Sequence, residues 1–163
     1  MAQSLRFDDL VLEDLILDDL DAGTREDALR RMAEILVQRG FCKPEFVQAI
    51  LDREVAHPSG LPMPGLKIAI PHTDADHVNR SALLFARLRK AVEFRSMGSP
   101  DEKLQVGMIS MFALKEKKLI GDLLETLLTV YQHEEVLAAL AGAADRKTMF
   151  SILKENVQKY GKT

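Results

Sequence analysis

The sequence predicts an α/β fold whose sheet is covered by helices on both faces, and three observations carry that prediction. Apolar stripes at helical spacing stand near both ends of the chain, from Thr24 and again from Leu119. Between them lie apolar runs of strand length. One of these, Leu104–Leu114 (LQVGMISMFAL), becomes apolar on both faces toward its end, as a central strand requires. Finally, 163 residues with 47% apolar side chains suffice for one domain, residues 1–163 with a core over about 8–158. Two helices, several strands and three helices in that order fit a sheet sandwiched between helical layers.

In chain order, residues 8–21 carry seven acids among leucines and read as a solvated acidic edge, with Leu15–Leu17 as a possible short strand. Thr24-Arg25-Glu26-Asp27 is a capping-box-like helix start with acids in the first turn, where the helix dipole favours them. Leu29, Met32, Ala33 and Leu36 follow on one face, and Gly40 is placed to end the helix. A second helix starts with Pro44 in its first turn, turns Phe46, Val47, Ile50 and Leu51 inward, and ends before Pro58. Ser81–Arg89 and Val92–Phe94 read as two strands, and Ser96–Lys103 as a polar turn. Leu119, Ile120, Leu123, Leu124, Leu127 and Leu128 then form a helical stripe, broken at His133-Glu134-Glu135. Val136–Ala144 reads as a short helix, and Asp145 caps a last one reaching about Val157.

The formal charge of −3, with acids and bases mixed, leaves no nucleic-acid footprint. The single Cys42 excludes an internal disulfide and fits a reducing, cytoplasmic compartment, where it reads as a bystander. The amino terminus lacks an apolar signal core, and no run approaches the ~20 apolar residues of a membrane span. Met108 and Met111 read as core filler.

The chemistry concentrates in Asp52–His77 (DREVAHPSGLPMPGLKIAIPHTDADH), which holds three of the four histidines and four of the six prolines. Leu66–Ile70 reads as a buried strand that stops at Pro71-His72, so His72 stands at a strand end, on a backbone limited by the proline. Three readings of His72 compete. It can be a hydrogen-bonded structural residue. It can belong to a metal site, since His72, Asp74, Asp76 and His77 fall within six residues; yet only His57 and His133 remain to complete one. Or it can be a covalent phosphocarrier, because a neutral imidazole is a competent nucleophile near pH 7. The roughly two charges of a phosphoryl group then require fixed donors and cations. Arg53 supplies a planar fork, and Ser59-Gly60 a hydroxyl and backbone N–H groups.

Arg53-Glu54, Pro58-Ser59-Gly60 and Ala69-Ile70-Pro71-His72, with Ala75, His77, Ser81-Ala82, Leu123-Leu124 and Leu127, carry a resemblance. From about Thr24 to Val157 the chain resembles the enzyme IIA domains of the bacterial sugar phosphotransferase system, in the fructose/mannitol superfamily, most of all the galactitol type. The resemblance implies a mixed five-stranded sheet between helices and a phosphotransferase with a phosphohistidine intermediate. His72 would accept phosphate from phospho-HPr, with no further cofactor and no metal, and pass it to a cysteine of a IIB component serving a membrane-embedded IIC transporter. Arg53 would steady the phosphoryl group, with Glu54, Ser59, Gly60 and His77 in support. Mannitol- and nitrogen-type members carry a second active-site histidine at the position of Ile120. Its absence favours the galactitol branch, as does the HPSG stretch (His57–Gly60), over a nitrogen-type regulatory protein, and leaves Lys117 or Lys118 as possible substitutes.

Overall fold

A computed structural model describes residues 5–161. The reading of the first four residues as part of a terminus without a signal core lies outside the described residues. Ten elements follow in chain order: β1 (Ile16–Leu20), α1 (Arg25–Gln38), α2 (Phe46–Ala56), β2 (Gly60–Leu61), β3 (Ile68–Ala69), β4 (Ala82–Arg95), β5 (Lys103–Ala113), α3 (Ile120–Tyr131), α4 (Glu134–Gly142) and α5 (Arg146–Tyr160). The five strands form one mixed sheet in the order β1-β4-β5-β3-β2. The β1–β4 and β3–β5 pairs are parallel, whereas β4–β5 and β2–β3 are antiparallel.

Both faces of the sheet are covered, as the sequence predicts. Leu29, Met32 and Leu36 of α1 and Phe46 and Ile50 of α2 pack on Leu84, Ala86, Ile109 and Met111. On the other side, Leu123 and Leu127 of α3, Leu137 of α4 and Met149 and Leu153 of α5 pack on Leu83, Phe85, Met108 and Phe112. The alternation of Leu83/Phe85 with Leu84/Ala86 is the period-2 geometry of a strand between two layers. N-caps start α1 and α5 where the sequence places them. Thr24 Oγ1 accepts from the Asp27 N–H at 3.1 Å, and Asp145 Oδ1 accepts from the Thr148 N–H at 2.8 Å.

Four elements differ from their sequence reading. The acidic edge is not merely solvated: Phe7, Val11, Leu15 and Ile16 are buried, and Asp8 is buried against Arg6. Leucines spaced at neither 2 nor 3.6 residues are consumed here by two 3₁₀ turns, Phe7–Leu10 and Glu13–Leu15, before β1 begins. The two strands expected between Ser81 and Phe94 are one, β4, whose register with β5 shifts between Arg87 and Val92. The irregularity spans Lys90 and Ala91, which separated the two strands expected from the sequence. The Leu66–Ile70 strand keeps only Ile68 and Ala69 as ladder residues, because Pro71 has no N–H to continue it. Extended pairing persists around them: Gly107 N–H donates to Lys67 O at 2.9 Å and Phe112 N–H to Pro71 O at 3.2 Å. Pro44 stands in the turn before α2, and Val47 and Leu51 are only partly buried.

Candidate active site

Pro71 and His72 follow β3, an interior strand beside β5, so the imidazole is delivered to the end of that strand next to Phe112. The two rings stack, with centroids 4.5 Å apart and planes 13° from parallel. His72 Nδ1 lies 3.0 Å from the Ile70 carbonyl oxygen. A carbonyl only accepts, so in the neutral ring Nδ1 carries the proton and Nε2 keeps its lone pair. Burial holds the His72 pKa below the usual histidine range, helped by the charge of Arg53 and opposed by the Ile70 carbonyl and Asp74. The ring is therefore neutral near pH 7, with one nitrogen fixed and the other nucleophilic.

His72 lines a cleft of about 170 Å³ together with Arg53, Glu54, His57, Pro58, Ser59, Pro71, Met97 and Leu124. Arg53 comes from the last turn of α2, where the carbonyl ends of the helix favour a cation. Among the described residues its guanidinium is not engaged in a hydrogen bond or an ion pair, yet its charge acts on both His72 and Glu54. Glu54 is buried, and its carboxylate accepts twice from Ser59: Oε2 from the backbone N–H at 2.8 Å and Oε1 from the hydroxyl at 2.6 Å. Burial pushes the Glu54 pKa up to about 7, against the two Ser59 bonds and the charges of Arg25 and Arg53. The Ser59 carbonyl in turn accepts from the Ile70 N–H at 3.0 Å, so Glu54, Ser59, Ile70 and His72 form one hydrogen-bonded chain.

The structure thus brings Arg53, Glu54, Ser59 and His72 together and leaves the other expected support residues outside. The Ser59 N–H, expected to face a phosphoryl group, is held by Glu54. Gly60 serves packing: its carbonyl accepts from the Met97 N–H at 2.7 Å, and a Cβ there would stand 2.5 Å from the Arg95 carbonyl oxygen. His77 ends a 3₁₀ turn, Ala75–His77, and its carbonyl takes the Lys43 N–H at 2.9 Å; its ring does not line the cleft. Lys117 and Lys118 are exposed, and neither lines the cleft. Among the described residues no three His, Cys, Asp or Glu side chains group as a metal site requires. Cys42 is buried and its thiol is pushed by burial up to about 12, which makes it unreactive. Phe112, Met97 and Leu124 are site residues that sequence reasoning missed, each having the signature of a core or turn position. Only the β3–β5 register, which sets Ile68 beside Met108 and Ala69 beside Ile109, reveals Phe112 as the shelf under His72.

A mixed five-stranded sheet between helices, with one recessed imidazole at a strand end, is the architecture of a phosphotransferase-system IIA domain. The chain belongs to that family: the family model described as "Phosphoenolpyruvate-dependent sugar phosphotransferase system, EIIA 2" matches residues 9–156. It is 28% identical over 138 residues to the fructose-specific EIIA component of Haloferax volcanii, covering 83% of this chain and 86% of that one. It is 24% identical over 136 residues to the galactitol-specific EIIA component of Escherichia coli, covering 83% and 87%. The mannitol-specific EIICBA component of Escherichia coli matches at 36% identity over 90 residues, 53% of this chain, and the chain spans only 14% of that longer protein's length. Among solved structures, the complex of enzyme IIAMTL and phosphorylated enzyme IIBMTL from Escherichia coli superposes with a TM-score of 0.71 at 25% identity, covering 87% and 95% of the two chains. Among the described residues no helix is long and apolar enough to cross a membrane.

Proposed function

We propose that this chain is a phosphocarrier, acting as one cytoplasmic domain, that takes a phosphoryl group from phospho-HPr onto His72 Nε2 and yields it to the cysteine of a IIB component. The observation that carries this reading is the His72 geometry: Nδ1 tied to Ile70, Nε2 free, and Arg53 on the same cleft wall. In the transfer, the Nε2 lone pair attacks phosphorus as the bond to the HPr nitrogen breaks and its electron pair returns to HPr. Nδ1 keeps its proton, and the Ile70 carbonyl stabilises the positive charge that develops on the ring. The Arg53 fork holds the phosphoryl oxygens, whose charge is the main thing such a transition state needs stabilised. Attack by a IIB thiolate reverses these roles, and the complex solved for the mannitol relatives supports a IIB partner. A IIC transporter is reached only through IIB.

Mannitol, fructose and galactitol relatives all match the chain. We assign the galactitol type because Ile120, and no histidine, opens α3. Incubation with enzyme I, HPr and phosphoenolpyruvate should add one acid-labile, base-stable phosphate, and His72→Gln should abolish it. Normal labelling of that variant would refute the reading. Exchange with purified galactitol-type, mannitol-type and fructose-type IIB components should run fastest with the first.

A further inference from the structure

Glu54 is an unusual neighbour for an anion site. A phosphoryl group on His72 would enter a cleft whose wall already holds a carboxylate 5% exposed. The Ser59 hydroxyl, a neutral donor on that wall, is engaged elsewhere, because its proton goes to Glu54 Oε1 at 2.6 Å. A hydroxyl has one proton and two acceptor lone pairs, so it serves one acceptor at a time. Both difficulties vanish if Glu54 is protonated. Its own O–H then donates to Ser59 Oγ, and the Ser59 proton is released toward the cleft, while the carboxyl's second oxygen still accepts the Ser59 N–H.

We propose that Glu54 and Ser59 form a proton-operated donor for the phosphoryl group, in which Glu54 takes one proton from water as His72 is phosphorylated and thereby aims the Ser59 hydroxyl at the phosphate. The inference rests on the phosphocarrier reading and extends it. Glu54 acts as a positioning residue through Ser59. The proton returns to water when the phosphoryl group leaves, and no other bond changes. Arg25 from α1 and Arg53 on its own helix favour the ionised carboxylate, whereas burial opposes it strongly enough to bring its pKa to about 7. The remaining titratable groups on the cleft are His57 and His72. Phosphorylation replaces a neutral imidazole by roughly two negative charges and occupies Arg53, and both changes favour a neutral Glu54.

The test is the equilibrium of phosphoryl exchange between phospho-HPr and this chain, followed by ³¹P NMR across neutral and alkaline pH. Uptake of one proton makes the wild-type constant fall about tenfold per pH unit above the Glu54 pKa of the free protein. Glu54→Gln is always neutral, its amide N–H₂ can donate to Ser59 Oγ and its oxygen can accept the Ser59 N–H, so this slope should be missing. The titrations of HPr and of the phosphate itself are common to both proteins and cancel in their ratio. A purely structural role shifts that ratio by a constant and leaves it flat. Ser59→Ala should weaken phosphate retention about tenfold on the acid side and converge on wild type on the alkaline side. In infrared difference spectra, phosphorylation above neutral pH should produce a protonated-carboxyl C=O band in wild type and none in Glu54→Gln. A flat ratio, a missing band, or Ser59→Ala equal to wild type at every pH would overturn the proposal. Absence of phosphate on wild-type His72 from both phospho-HPr and phosphoramidate, a small nitrogen-linked donor, would instead overturn the phosphocarrier reading.

Discussion

His72 Nδ1 and the carbonyl oxygen of Ile70 lie 3.0 Å apart, and this contact decides which nitrogen of the imidazole reacts. Ile70 is only two residues away, so the ring is held by its own strand end, with Phe112 beneath it. ¹⁵N NMR of the free protein should show Nδ1 protonated and Nε2 bare at neutral pH. The phosphorylated protein should carry phosphorus on Nε2. Phosphate on Nδ1 would mean that the ring flips before it reacts.

Arg53 should matter for transfer and little for folding. It is half-exposed and its guanidinium is engaged in no hydrogen bond or ion pair among the described residues, so Arg53→Gln should change stability by no more than about 0.5 kcal/mol. Losing a cation from the phosphoryl charge should slow transfer at least 100-fold, on the order of magnitude seen for removed transition-state donors. The same variant removes one of the causes that lower the His72 pKa, so the acid limb of its rate profile should move to higher pH. Wild type, with a depressed pKa, should stay active below the pH at which an ordinary histidine, near 6.5, becomes protonated. Stopped-flow transfer from phospho-HPr across that range measures both effects.

Phe112 is 1% exposed and serves both the core and the site. Phe112→Leu keeps most of the apolar volume and should cost less than the 3–5 kcal/mol of truncation to alanine. It removes the flat surface that keeps the imidazole plane fixed, so transfer should fall by more than the loss of stability explains. Equilibrium denaturation beside initial transfer rates separates the two.

The fold was legible because its signals are redundant. The Leu29–Leu36 stripe, the Thr24 and Asp145 caps and the two-faced Leu104–Leu114 run each point to one element, and all agree with a covered sheet. The acidic leader was not legible, since 3₁₀ turns have no long periodicity and Phe7 and Val11 are buried by contacts with distant residues. At the site, Arg53, Ser59 and His72 could be read from the local stretch that holds them, whereas Glu54 entered only with the family resemblance. Phe112, Met97 and Leu124 come from elsewhere in the chain; only the fold puts Met97 and Leu124 on the cleft and Phe112 beneath the His72 ring. The Glu54–Ser59 bond was hidden for a different reason: nothing in the letters says that the serine N–H faces a carboxylate rather than solvent.

His77 tests how far proximity in sequence misleads. Five residues from His72, it ends a 3₁₀ turn, and no side-chain hydrogen bond or ring contact of it is present among the described residues. His77→Ala should leave the transfer rate and its pH profile unchanged and alter stability by roughly 1 kcal/mol or less. A shifted acid limb would return it to the mechanism.

Glu54 gives a prediction about stability that needs no phosphate. Its folded-state pKa is raised to about 7 from an ordinary value near 4.5. A group raised on folding binds more protons in the native state, so its contribution is full below the unfolded value and is lost as pH rises through the folded one. Between these limits the wild-type protein should lose about 3 kcal/mol relative to Glu54→Gln, at about 1.4 kcal/mol per pH unit. For a chain of this size that corresponds to roughly 6–12 °C in Tm. Glu54→Gln should therefore be nearly equal to wild type or weaker near pH 5 and relatively more stable by pH 8. His72, with its pKa lowered, works in the opposite direction below about pH 6.5, where its contribution is lost as pH falls. Paired melting curves of wild type, Glu54→Gln and His72→Gln resolve the two slopes. A Glu54→Gln curve parallel to wild type from pH 5 to pH 8 would mean that the buried carboxyl does not titrate in this window, and that Ser59 stays bound to a carboxylate throughout.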